Sequence, residues 1–145
     1  MKKCLNVADC TCFNLRKSSR LMAQFYDHFL QPSGLKNTQF SLLAILSGLG
    51  PISITELARE LGMDRTTLTR NLKLVERDGL IQVCAGKDAR SRIVKITTKG
   101  KKMLHRAMSL WEQAQTRVVE SLGQTQWGNL IKEIRTLTHV TRSLL

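Results

Sequence analysis

The residues most able to do chemistry lie near the middle of the chain, and nearly all are cations. Between positions 65 and 77 stand Arg65, Thr66, Thr69, Arg70, Lys73 and Arg77. At about 100° per residue on a helix these share one face, while Leu68, Leu72 and Val75 share the opposite one. A helix of this composition suits the major groove of duplex DNA. Arginine can pair bidentately with guanine, threonine can hydrogen-bond a base edge or touch a thymine methyl, and lysine can neutralise phosphate. Each good bidentate base contact carries about 1–3 kcal/mol of discrimination. The competing reading is the solvated basic face of an ordinary amphipathic helix.

A second group of cations follows at once. Lys87, Arg90 and Arg92 fall in or beside the polar stretch between two β-branched runs, Leu80–Cys84 and Arg92–Thr97. Two such runs predict a hairpin with a protruding basic tip. A tip of this kind reaches phosphates or the minor groove beside the helix. Asp88 stands among these cations and is expected to orient Arg90 through a charge-assisted hydrogen bond.

Catalytic groupings are missing from the sequence. There is no Gly-rich phosphate loop and no Ser/His/Asp order, and His28, His105 and His139 are isolated. The expectation is therefore a protein that is not an enzyme and carries no cofactor. The cysteines leave three readings open. Cys10 and Cys12 precede Arg16 and Lys17 at the start of the first predicted helix. A helix N-terminus and nearby cations favour thiolate, so either thiol is a candidate for oxidation. Cys4, Cys10 and Cys12 could instead form a soft-metal cluster. Their spacing does not match a structural zinc site, and no metal is expected. The third reading is that the thiols are passive, as Cys84 on a strand is expected to be.

Composition agrees with a polyanion partner. The 145 residues carry a net charge of +12, and half of that excess lies in residues 54–102. Such a balance draws nucleic acid first and an anionic membrane second. The longest apolar stretch is Leu42–Leu46, too short for a membrane span. Met1–Asn6 has basic residues but no apolar run behind them, so no secretory signal is expected. Four cysteines make no disulfide framework in a chain of this size. A reducing cytoplasm is the expected location, with no membrane partner.

The elements that must position the cations follow from periodicity and caps. Apolar residues at helical spacing predict a helix over 11–30, closed by Pro32 and Gly34, and a second over 38–49, closed by Gly48, Gly50 and Pro51. Ser53 and Glu56 have the spacing of a capping box. It opens a short helix that stops at Gly62, and Asp64 can cap the next helix. After Gly100 helical spacing resumes, with one seam from Leu104 to Leu122 and another from Trp127 to Leu144. Helix, tight turn, basic helix and two-stranded wing are the order of a winged helix-turn-helix.

In this order the residues resemble the MarR (multiple antibiotic resistance regulator) family of winged-helix transcription regulators. The resemblance rests on Gly34–Leu43, Ile54–Ala58, Asp64–Arg70, Leu74–Ile81, Asp88–Ser91 and Ile96–Gly100. It implies a mainly α fold with a small β-wing. Residues 1–33 would form an N-terminal dimerisation helix, 34–100 the winged helix-turn-helix, and 101–145 the C-terminal dimerisation helices. It implies a homodimer on a roughly palindromic duplex DNA operator, usually as a repressor, with recognition helices roughly 34 Å apart. It also implies release by a small aromatic effector or by an oxidant. The effector pocket would lie between the dimer helices and the DNA-binding lobe, where Phe25, Tyr26, His28, Phe29, Phe40 and Trp111 are candidates. Each could equally be a core residue. Two other functions compete: a winged-helix module that binds a protein partner, and a nonspecific architectural DNA binder.

Overall fold

The computed structural model describes residues 6–145. A one-turn 3-10 helix, Val7–Asp9, leads into α1 (Thr11–Leu30). α1 stops where Pro32 enters the 3-10 turn Gln31–Ser33. α2 (Asn37–Leu49) follows, with its first free N–H donated across the turn from Asn37 N to Asp27 Oδ1 on α1 at 2.6 Å. Next come β1 (Ile52–Ser53), α3 (Ile54–Leu61), α4 (Arg65–Arg77), β2 (Ile81–Ala85), β3 (Arg92–Ile96), α5 (Thr98–Leu122) and α6 (Gln124–Leu144). The result is the mainly helical winged helix expected, with a small antiparallel sheet in the order β1-β3-β2.

Local chemistry sets the boundaries. Ser53 and Glu56 close the expected capping box: Glu56 N donates to Ser53 Oγ at 3.2 Å, and Ser53 N donates to Glu56 Oε2 at 3.4 Å. α3 ends at Gly62, whose φ of +62° only glycine adopts cheaply. Gly62 N and Met63 N then return to the last turn of α3, at Arg59 O and Ala58 O. This is the tight turn that sets α4 across α3.

Two details differ from the sequence expectation. α5 begins at Thr98, before Gly100, because Thr97 Oγ1 accepts the Gly100 N–H at 3.0 Å and caps the helix. Gly100 is then buried in the first turn, where a Cβ would collide with Leu80 O. β1 was not predicted. It is two residues long and exists by pairing with β3, Ile52 opposite Val94 and Ser53 opposite Ile93.

The core sits under the sheet and behind α4. Leu30, Leu43, Leu46, Leu57, Leu68, Leu72, Leu80, Ile81 and Val94 are its fully buried side chains. Leu104 and Ala107 bring the first half of α5 into the same cluster. The ends of the chain are different. α1 buries only Leu30, and α6 buries no residue. Leu21, Leu130 and Val140 are 57%, 44% and 45% exposed. Among the described residues these apolar side chains are left open by the chain's own packing. No helix among the described residues is long and apolar enough to cross a membrane.

Candidate nucleic-acid interface

α4 carries the first group of cations. Its core face is fixed by Leu68, Leu72 and Val75, each at most 5% exposed. Arg65, Thr66, Arg70, Lys73 and Arg77 are all exposed on the outer side. Thr69 is half-buried, and its hydroxyl donates to Arg65 O at 2.7 Å. Its methyl and lone pairs remain available to a ligand, while its proton is engaged within the helix.

Asp64 fixes where α4 starts. Thr67 N donates to both carboxylate oxygens, at 3.1 and 3.3 Å. Hydrogen bonding from Thr67, reinforced by the charge of Arg70, holds the Asp64 carboxyl below the ordinary carboxylate range.

The wing comes back to the same end of α4. Arg65 shares a hollow of about 200 Å³ with Asp88, Arg90 and Arg92 of the wing and with Ser53 and Thr55 at the start of α3. Four of the ten expected contact residues therefore stand together. Lys87 is exposed at the wing tip. Arg77 lies about three helical turns, roughly 18 Å, along the axis from Arg65. There it pairs with Asp78, Nε to Oδ1 at 3.7 Å. Arg77 also borders a different cleft of about 570 Å³ between α2 and α4.

The expected contact between Asp88 and the Arg90 guanidinium does not form. Asp88 Oδ1 instead accepts the Arg90 backbone N–H at 3.4 Å, and Asp88 O accepts from Ser91 N and Ser91 Oγ, both at 3.0 Å. Asp88 shapes the turn, as short acidic side chains do when a backbone N–H two residues on is within reach. The Arg90 head group is left to solvent.

Sequence reasoning missed Glu76. It stands among the cations of α4, and its Oε1 accepts the Val83 N–H of β2 at 2.8 Å. This ties the wing's first strand to the helix. An acid on an otherwise basic helix was the available signal.

The aromatic candidates form two groups. On α1, Phe25 meets Tyr26 edge-on at 5.7 Å and Phe29 at 5.0 Å, and His28, exposed, meets Phe29 edge-on at 6.0 Å. Phe40 of α2 stacks on Trp111 of α5 at 5.8 Å, and Phe40 is a core residue. Tyr26 donates its hydroxyl to Gln115 Oε1 on α5, and burial pushes its phenol pKa up. None of the six lines the two hollows described above. Cys10 is the exposed residue from which α1 starts, and Cys12 is exposed in its first turn. Cys84 on β2 is half-buried opposite Ile93. Cys4 lies outside the described residues.

Comparison with known proteins points one way. Residues 33–91 match the sequence model of the MarR family. The HTH-type transcriptional regulator YwoH of Bacillus subtilis (strain 168) is 33% identical over 88 residues, which is 61% of this chain and 64% of that protein. The match thus spans just under two-thirds of that relative's length. Among solved structures, the M. tuberculosis transcriptional regulator MosR in complex with DNA superposes with a TM-score of 0.86 at 41% identity. That alignment covers 93% of this chain and 98% of the MosR chain. The transcriptional repressor CouR bound to a 23-mer DNA duplex superposes with a TM-score of 0.80 at 26% identity, covering 95% and 99%.

The Asp64 cap generates a prediction with a definite sign. Its pKa is lowered in the folded chain. The ionised cap therefore stabilises the fold above the unfolded carboxylate pKa, and that contribution is lost as pH falls through the folded value. Asp64→Asn keeps a capping side chain without the charge. The stability advantage of the wild type over Asp64→Asn should shrink steadily with acidification through the carboxylate range, measured by urea unfolding. A constant difference from neutral to acid pH would show that the charge contributes nothing.

Proposed function

Since the chain belongs to the MarR family of transcriptional regulators, we propose that it binds a specific duplex DNA operator as a homodimer, and that it acts as a repressor. Arg65, Thr66, Thr69, Arg70 and Lys73 would meet base edges and phosphates in the major groove. Lys87, Arg90 and Arg92 would meet phosphates or the minor groove beside it. Arg77 would contribute least, because it already pairs with Asp78. The observation that carries this reading is the convergence of Arg65, Arg90 and Arg92 on one hollow at the N-terminal end of α4. A helix and a wing whose cations face one ligand are what a groove and its flanking phosphates require.

Dimerisation is supported by the apolar side chains that α1 and α6 leave exposed among the described residues. A two-fold dimer would bury them and carry two copies of α4 to one side of the duplex. Residues 1–33 and 101–145 would then serve mainly to pair chains, and 34–100 to read DNA, in the cytoplasm. MosR and CouR were each solved with DNA, which supports carrying the same ligand class to this chain.

Operator and random duplexes separate this reading from a nonspecific binder and from a protein-interaction module. Arg70→Ala should lose about 1–3 kcal/mol of discrimination between them. Lys87→Ala should weaken both equally and lower the salt dependence by about one unit of slope. Fluorescence anisotropy across a salt series measures both. Equal wild-type affinity for operator and random DNA would leave only an architectural binder.

Release from the operator is proposed to follow a small aromatic effector held near the α1 aromatics, or oxidation of Cys10 or Cys12. The exposure of both thiols at the start of α1 supports the oxidative route. Peroxide should release the wild type and leave Cys10→Ser/Cys12→Ser bound. Equal release of both proteins would remove the cysteines from the mechanism.

A further inference from the structure

Both helices of the helix-turn-helix end on a cation supplied by the long C-terminal helices. At the end of α4, Lys99 Nζ from the first turn of α5 donates to Asp78 O at 2.7 Å. At the end of α3, Arg142 Nη2 from the last turn of α6 donates to Arg59 O at 2.7 Å. The partners are 21 and 83 residues apart in sequence. Each cation sits where the helix dipole is negative; Asp78 O receives Lys99, and Arg59 O, which already accepts the Gly62 N–H, takes Arg142 as a second donor. A third tie reinforces the first. Gln39 Nε2 of α2 donates to Asp78 Oδ2 at 3.4 Å.

These contacts differ in kind from the cations of α4 and the wing. Lys99 and Arg142 are engaged by the protein's own backbone, so they are poorly placed to neutralise phosphate. Their effect is on geometry. Beside Lys99, Thr97 at the start of α5 holds Gly79 O and Leu80 O just past the end of α4, and a change of tilt at the C-terminal end of α4 moves its DNA-facing end.

We propose that Lys99 and Arg142 are positioning residues that clamp α4 and α3 onto the dimerisation helices, and so set the half-site spacing the dimer accepts. The proposal rests on the dimeric DNA-binding reading above. Energetic coupling through such a tie changes affinity without touching the ligand. The clamp lets an isolated half-site bind normally and penalises operators whose half-sites are one base pair too near or too far.

The test uses the full chain and duplexes selected by the wild type from a random pool. Half-site spacing is varied by one base pair either way, and a single half-site serves as reference. Lys99→Met should bind the best spacing about three- to tenfold more weakly, with a flattened spacing preference. Its half-site affinity and salt slope should match the wild type. Lys99→Arg should restore the preference, a rescue that general loss of stability does not permit. Arg142→Met, remote from α4, carries the same test should Lys99→Met fail to fold. An unchanged spacing preference in a folded variant overturns the clamp, and so does a drop of about one unit in salt slope, which marks a phosphate contact. A wild type with no spacing optimum would contradict the dimeric reading and take the clamp with it.

Discussion

Three consecutive backbone carbonyls follow α4, and the start of α5 holds all three. Asp78 O accepts from Lys99 Nζ, Gly79 O from Thr97 Oγ1 at 2.6 Å, and Leu80 O from Thr97 N at 3.0 Å. Carbonyls at a helix end must find partners or remain exposed to water, and here one short segment supplies them. The same segment requires a residue without a side chain, because Gly100 lies against Leu80 O. α4, the wing and α5 are thereby joined within a few residues. The C-terminal end of α4 is thus held by α5, the helix that leads into the second half of the chain, as its other end is held by the turn at Gly62.

From that junction the charge distribution becomes intelligible. The apolar side of α4 is consumed by the core, and Glu76 is consumed by the wing. What is left outward is mainly cationic or hydroxylic, with exposed Asn71 and Leu74 beside it. Lys99 and Arg142 show that not every cation is available to a polyanion. Two of the basic residues behind the net +12 are occupied with the protein's own backbone.

Much of this was legible in the sequence because it is locally encoded. The capping box at Ser53 and Glu56, the Asp64 cap and the glycine stop at Gly62 each depend on residues within a turn of one another. The apolar and basic faces of α4 follow from a single period. What could not be read depends on distant partners. β1 is a strand only because β3 lies beside it. Asp88 could have met the Arg90 guanidinium or its N–H, and turn geometry decided for the backbone. The Thr69 hydroxyl turned inward to Arg65 O, which a face diagram does not reveal. Lys99 and Arg142 gave no signal, since a long basic side chain looks alike whether it meets phosphate or a carbonyl far along the chain.

In the proposed dimer the chain is half of a reading unit, with both ends of each protomer given to pairing and the middle to DNA. Sequencing duplexes captured from a random pool tests that claim most directly. The expected result is an inverted repeat whose half-sites are centred about one helical turn apart, roughly 10 base pairs. A single undivided motif, or no enriched sequence, would contradict it.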